Sequence, residues 1–146
     1  IFIIVPIILF LDQLTKFLIT KNLSLGQAIP IIRGVFNLTL IHNRGAAFGI
    51  LKNQVPLFIV TSIFAVFLIY SNLKNYKEAK LYRFSLILIL AGALGNLIDR
   101  LFFGYVIDFL DFRVWPVFNI ADSAITVGTI LLTWSIIFGK NVSRNL

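Results

Sequence analysis

The chain has 146 residues, 59% hydrophobic and only 13% charged, with a mean hydropathy of +0.96 and a formal charge of +7. A soluble domain carries about 25% charged residues, so these values exclude an ordinary water-soluble fold and indicate an α-helical integral membrane protein with room for a single domain, residues 1–146. The absence of cysteine excludes disulfides, thiol nucleophiles and thiolate metal sites, and the positive charge collects in short segments between apolar runs, which speaks for membrane topology and lipid headgroups rather than nucleic acid.

Four apolar runs, at about 1–20, 55–70, 82–101 and 119–138, are long enough or nearly so to cross a hydrocarbon core about 30 Å thick. In lipid the backbone must satisfy its own hydrogen bonds, so each run is predicted to be a helix. The first is interrupted by Asp12-Gln13-Leu14-Thr15-Lys16 and is too polar there for a cleavable secretory signal. It starts at Ile1 rather than Met, so a few further residues are expected ahead of it. Asp12 and Lys16, four apart, share a helix face and are expected to pair, as a helix lock or as a grip on a substrate headgroup or backbone.

The next segment, about 24–50, is no simple loop. Partial alternation and β-branched residues over Val35-Phe36-Asn37-Leu38-Thr39-Leu40-Ile41-His42, with Pro30 and Gly34 before them and Gly45 and Gly49 after, predict a short strand or hairpin on the membrane surface. Gly45-Ala46-Ala47-Phe48-Gly49 reads as a close-packing stretch, Asn43-Arg44 as a weak candidate for substrate contact, and lone His42 lacks partners for a metal site. The connection at 71–83 carries Lys74, Lys77, Lys80 and Arg83 against Glu78, and the tail carries Lys140 and Arg144. The positive-inside rule assigns both to the cytoplasm, and four spans put both termini there. Gly92 with Gly95, and Ala91 with Ala93, form a small-residue patch for tight helix contact. Trp115 and Trp134 read as interfacial anchors at opposite ends of the bundle.

Of the six acidic residues, Asp12, Asp99, Asp108 and Asp122 fall in or beside apolar runs, where a charge costs roughly 2.5–3.5 kcal/mol even on a lenient insertion scale. Two linked motifs stand out: Gly95-Asn96-Leu97-Ile98-Asp99-Arg100 followed by Gly104-Tyr105-Val106-Ile107-Asp108-Phe109, and Phe118-Asn119-Ile120-Ala121-Asp122-Ser123. Asn96 and Asp99, like Asn119 and Asp122, are three apart and share a helix face, so the amides can hold carboxylates by hydrogen bonds. Asp108 is expected to end an outer extension of the third helix, and Asp122 to lie in the first turn of the fourth. If they converge on one water, one keeps its proton and the other serves as general base, which is aspartic-protease chemistry. From spacing alone the same residues serve equally well as locks between helices. Asp99 and Arg100, adjacent and so facing different ways, read as fold supports. Asp111 reads as a solvated loop charge, and Ser123 has no evident base.

At these residues the chain resembles the lipoprotein signal peptidases, the bacterial type II signal peptidases. The blocks occur in the family's order: Asp12-Gln13-Leu14-Thr15-Lys16, Asn43-Arg44-Gly45-Ala46-Ala47-Phe48-Gly49, Gly92-Ala93-Leu94-Gly95-Asn96-Leu97-Ile98-Asp99-Arg100, Val106-Ile107-Asp108-Phe109 and Phe118-Asn119-Ile120-Ala121-Asp122-Ser123. Ala91-Gly92 departs mildly from the Gly pair of many relatives. The resemblance implies four transmembrane helices with a small extracytoplasmic β-cradle. It also implies an aspartic endopeptidase of the bacterial inner membrane that cleaves a diacylglyceryl-modified prolipoprotein just before its lipidated cysteine. It makes Asp108 and Asp122 the catalytic pair, with Asn119, Asn96, Asp99, Arg100, Asn43, Arg44, Asp12 and Lys16 supporting the site or contacting substrate. It implies no metal or organic cofactor, and globomycin-type cyclic peptides as inhibitors. Membrane lipids are the remaining partner, nucleic acid is not one, and a monomer is expected because one copy contains the whole site. A proton- or ion-coupled transporter and a non-enzymatic scaffold are the competing classes. Against the first, the acids gather near one face, and four spans are few for a transporter.

Overall fold

The computed structural model describes residues 3–45, 53–75 and 80–138, apart from the side chains of residues 74 and 75. Residues 46–49 of the glycine-bounded stretch, much of the basic connection and the C-terminal tail lie outside them. Four helices, α1 (Ile4–Asn22), α2 (Val55–Asn75), α3 (Lys80–Phe103) and α4 (Ile120–Phe138), occupy the four apolar runs. Three strands, β1 (Ala28–Ile32), β2 (Phe36–Asn43) and β3 (Val106–Asp111), form one antiparallel sheet in the order β1-β2-β3. Among the described residues α2, α3 and α4 are long and apolar enough to cross a membrane.

α1 falls short of that description because of its charges, and its burial pattern is inverted. Its buried residues are Val5, Asp12 and Lys16, whereas Phe10 is 64% exposed and Phe17 60%. Apolar side chains face out and charges face in, the reverse of a helix solvated by water.

α3 is the central helix and packs against the other three. Its approach to α4 depends on small residues. A Cβ on Gly92 would collide with the Ala121 carbonyl oxygen and come within 2.7 Å of Ile125 Cγ1. On α4, a Cβ on Gly128 would lie 2.8 Å from the Ser85 carbonyl oxygen. The small-residue patch expected on the third helix is therefore a helix contact. Because the obstacle at Gly92 is backbone, Gly92→Ala is expected to destabilise the fold by about 1–3 kcal/mol, read as a lower Tm in detergent.

The expected surface hairpin is present as β1 and β2. Val35 N donates to Ile32 O at 3.0 Å across a turn in which Gly34 takes φ +77°, a left-handed conformation that glycine adopts without strain. Leu23, Leu40 and Ile107 are buried together, with Ile19 packed against them, which seats the sheet on the C-terminal end of α1.

The third strand corrects two expectations. Asp108 does not end a helical extension, because α3 stops at Phe103 and Gly104, at φ +74°, turns the chain into β3. Gly104 N donates to Arg100 O at 3.1 Å, the helix-ending role that glycine fills best. Asp111 is a strand residue rather than a loop charge, and it accepts from Thr39 Oγ1 at 2.8 Å. Val106 to Phe109 are all buried, so the strand lacks the alternation that would mark it in sequence. Phe118 then returns to β3, donating to Leu110 O and accepting from Phe109 N and Leu110 N at 2.8–3.1 Å, which brings the start of α4 beside Asp108. Trp115 and Trp134 are exposed.

Candidate active site

The site begins with the way α4 starts. Asn119 is its N-cap: Asn119 Oδ1 accepts from Asp122 N at 2.8 Å, and Asp122 Oδ2 accepts from Asn119 N at 3.3 Å. This reciprocal pairing is a capping box, which satisfies helix N–H groups that have no partner of their own. It holds the Asp122 carboxylate at the positive end of the helix.

The Asn119 side chain also points away from the helix. Its Nδ2 donates to Asp108 Oδ1 at 2.8 Å and to Asn96 Oδ1 at 3.0 Å. Asn96 Nδ2 in turn donates to Asp122 Oδ1 at 2.7 Å. Asp108 and Asp122 are thus joined through two buried amides; the spacings placed Asn96 beside Asp99 and Asn119 beside Asp122, whereas in the fold the Asn96 amide holds Asp122 and the Asn119 amide holds Asp108. Asn43, from β2, donates to Asp108 Oδ2 at 2.9 Å. Burial, and then the nearby Asp122 charge, push the Asp108 carboxyl from 3.8 up to about 7, against the opposing effects of Asn43, Lys16 and Asn119. A carboxyl poised near neutrality can hold or release a proton at working pH.

Behind this pair lies a buried ion triad. Lys16 Nζ stands 2.8 Å from both Asp12 Oδ2 and Asp99 Oδ2, and none of the three side chains is more than 2% exposed. Each carboxylate also fixes backbone: Asp12 Oδ1 accepts from Ala121 N at 2.9 Å, and Asp99 Oδ2 from Ile107 N at 3.0 Å. Asp99 therefore ties α3 to β3, the support role read from its position, and Asp12 ties α1 to the first turn of α4.

An open cavity of about 640 Å³ faces Asp122, its lining including Asn43, Asn96, Arg100 and Phe118. Asp108, 2% exposed, lies behind Asn43. Arg100 places its guanidinium over the Phe58 ring at 5.2 Å from the centroid. Here the comparisons agree with the geometry: the family model that matches residues 4–138 is described as signal peptidase (SPase) II.

The chain belongs to the signal peptidase II family.

A lipoprotein signal peptidase of Moorella thermoacetica is 48% identical over 132 residues, covering 90% of this chain and 88% of that protein. One of Caldanaerobacter subterraneus subsp. tengcongensis is 50% identical over 138 residues, covering 93% and 94%. A solved structure described as a bacterial membrane enzyme, determined by the in meso method at 2.3 Å, superposes with a TM-score of 0.85 at 33% identity, covering 99% of this chain and 90% of that one.

Within this signal peptidase II family member, nine of the ten residues singled out by sequence reach the pair, the ion triad or the cavity wall. Arg44 is the exception: its side chain is exposed, and its carbonyl accepts from Asn53 N at 3.0 Å. Gln13 has a role the motif reading did not assign, donating to Asp99 Oδ1 at 3.0 Å and Asp12 Oδ2 at 3.2 Å. Its place beside Asp12 in the first polar block was the available signal. His42 stacks on Tyr105 at 3.9 Å between ring centroids. The transporter and scaffold readings lose their basis, since the family is one of peptidases and the polar groups form one network against the sheet.

Proposed function

We propose that this peptidase is an intramembrane aspartic endopeptidase that removes the signal peptide from diacylglyceryl-modified prolipoproteins, cutting just before the lipidated cysteine. The observation that carries the reading is the hydrogen-bonded chain Asp108–Asn119–Asn96–Asp122 at an open cavity. Asp122, held at a helix N-terminus that favours the anion, takes a proton from water as its oxygen attacks the scissile carbonyl carbon. Asp108 donates its proton to the developing oxyanion. On collapse Asp108 takes back a proton from a hydroxyl of the tetrahedral intermediate as the C–N bond breaks, and Asp122 gives its proton to the leaving amine. Asn43, hydrogen-bonded to Asp108 and lining the cavity, must give way for substrate to reach that carboxyl.

All four helices span the bacterial inner membrane in this reading. At about 1.5 Å per residue the 19 residues of α1 reach roughly 28 Å, close to the hydrocarbon thickness. The bases at 71–83 and in the tail put both termini in the cytoplasm, and the sheet and cavity lie at the outer face. The signal peptide enters sideways between helices, leaving the diacylglyceryl group in lipid. Globomycin-type cyclic peptides occupy the dyad, and a monomer suffices.

The test is gel-shift cleavage of a prolipoprotein by purified protein in detergent, with and without prior diacylglyceryl modification. Cleavage of the modified form alone is expected, and no cleavage of either would reject the assignment.

The pH dependence follows from Asp108. Its carboxyl is pushed up to about 7, so the proton it donates is present below that pH and lost above it. The kcat/KM profile is expected to fall as pH rises through about 7. The same proton links to folding: the contribution is present in full below the ordinary value of 3.8 and is lost as pH rises through about 7. A profile flat from about pH 6 to 8 would remove Asp108 as the acid, the range being set by roughly a unit either side of that value.

A further inference from the structure

Lys16 occupies an unusual place. The residue is 1% exposed and its ammonium faces three oxygens: Asp12 Oδ2 and Asp99 Oδ2 at 2.8 Å and Asn96 Oδ1 at 3.2 Å. The two carboxylates would suffice if its work were only to join α1 to α3. The third contact goes to the amide that holds Asp122. An Asn side chain presents an acceptor at one end and donors at the other. With Lys16 Nζ and Asn119 Nδ2 both donating to Oδ1, the Asn96 amide has one orientation, and in it Nδ2 faces Asp122 Oδ1 at 2.7 Å.

We propose that Lys16 is a positioning residue for the chemistry: it locks the Asn96 amide toward Asp122, and its charge sets the pH range over which the Asp108–Asp122 pair holds a single proton. The inference rests on the aspartic dyad proposed above and extends it to the first helix. The charged groups that face the pair are Lys16 and Asp12 from α1, Asp99 and Arg100 from α3, and the two carboxylates themselves on β3 and α4. Among the described residues α2 contributes no charge there and meets Arg100 through Phe58. Lys16 is thus the fully buried cation of the cluster, and its removal makes the pair harder to ionise.

Lys16→Met alone would strand two buried carboxylates against each other, so the test uses charge-balanced variants. Asp12→Asn/Lys16→Met and Lys16→Met/Asp99→Asn each remove the ammonium with one of its carboxylates and leave the triad's formal charge unchanged. In the first, the amide introduced at position 12 keeps an oxygen for Ala121 N, and Gln13 keeps Asp99. The pH profile of prolipoprotein cleavage is measured for both, for Lys16→Arg, and for wild type beside Asp122→Asn. The expected result is a kcat lower by about tenfold or more with KM within about twofold. Both limbs of the profile should move up by about half a pH unit or more, while Lys16→Arg leaves the limbs in place. A uniform loss of rate with the limbs unmoved, or wild-type kinetics, would overturn the proposal. If neither double variant folds, the ammonium serves the fold and the proposal likewise falls. Failure of the dyad itself reads differently, as an inactive wild type or an active Asp122→Asn, and Lys16's role falls with it.

Discussion

Asp108→Asn and Asp122→Asn are each expected to reduce prolipoprotein cleavage by about a thousandfold or more, with the protein still folded and inserted. Both substitutions keep the side-chain volume and remove only the group that can take or give the proton. Neither should collapse the fold. The amide introduced at position 122 retains one oxygen for Asn96 Nδ2 or Asn119 N, so one of these two hydrogen bonds is lost, about 1 kcal/mol. The amide at position 108 keeps one acceptor for Asn119 or Asn43. Single-turnover cleavage, alongside thermal unfolding of each purified variant, separates the two effects. A variant that folds normally and still cleaves within tenfold of wild type would remove that residue from the chemistry.

Asp99→Asn is expected to act in the opposite proportion. Its carboxylate neutralises a buried ammonium and accepts the Ile107 N–H that starts β3 in place. The variant leaves Lys16 paired with Asp12 alone and weakens two charge-assisted contacts, to the Lys16 ammonium and to Ile107 N, a loss on the order of 2 kcal/mol. Lower yield and a depressed Tm should therefore accompany, and at least match, the loss of activity. An Asp99→Asn protein with wild-type stability and no turnover would move Asp99 from support into the reaction itself.

These two cases mark how far the chain could be read before it was seen folded. Hydropathy located all four helices, and the glycines with partial alternation located the β1–β2 hairpin. The Asn119–Asp122 pairing was legible because helix periodicity is local, three residues apart meaning one face, whereas the contacts of Asn96 with Asp122 and of Asn119 with Asp108 cross between elements. The strand β3 was not legible, since Val106 to Phe109 are buried on both faces and carry no alternation. What the ion triad joins was equally hidden. Asp12 and Lys16 could be paired by their spacing, but Lys16 reaches Asp99 across 83 positions and Asp12 reaches Ala121 across 109. No local rule links such positions. They meet because α3 packs against α1 and α4 through residues as small as Gly92 and Gly95.

The pairing of β2 with β3 carries a consequence for how members of this family can change. Leu38 pairs with Leu110 and Ile41 with Asp108, so β2 carries one residue more than β3 between those rungs. Strand side chains alternate, and one residue more or fewer turns everything beyond it to the other face. Asn43 lies beyond that extra residue, with its amide on Asp108. A homologue shortened by a single position between 38 and 41 would still spell every block of the sequence yet aim Asn43 away from the carboxylate. Length in this stretch thus matters to the site as much as residue identity does, because the register alone decides which face Asn43 takes.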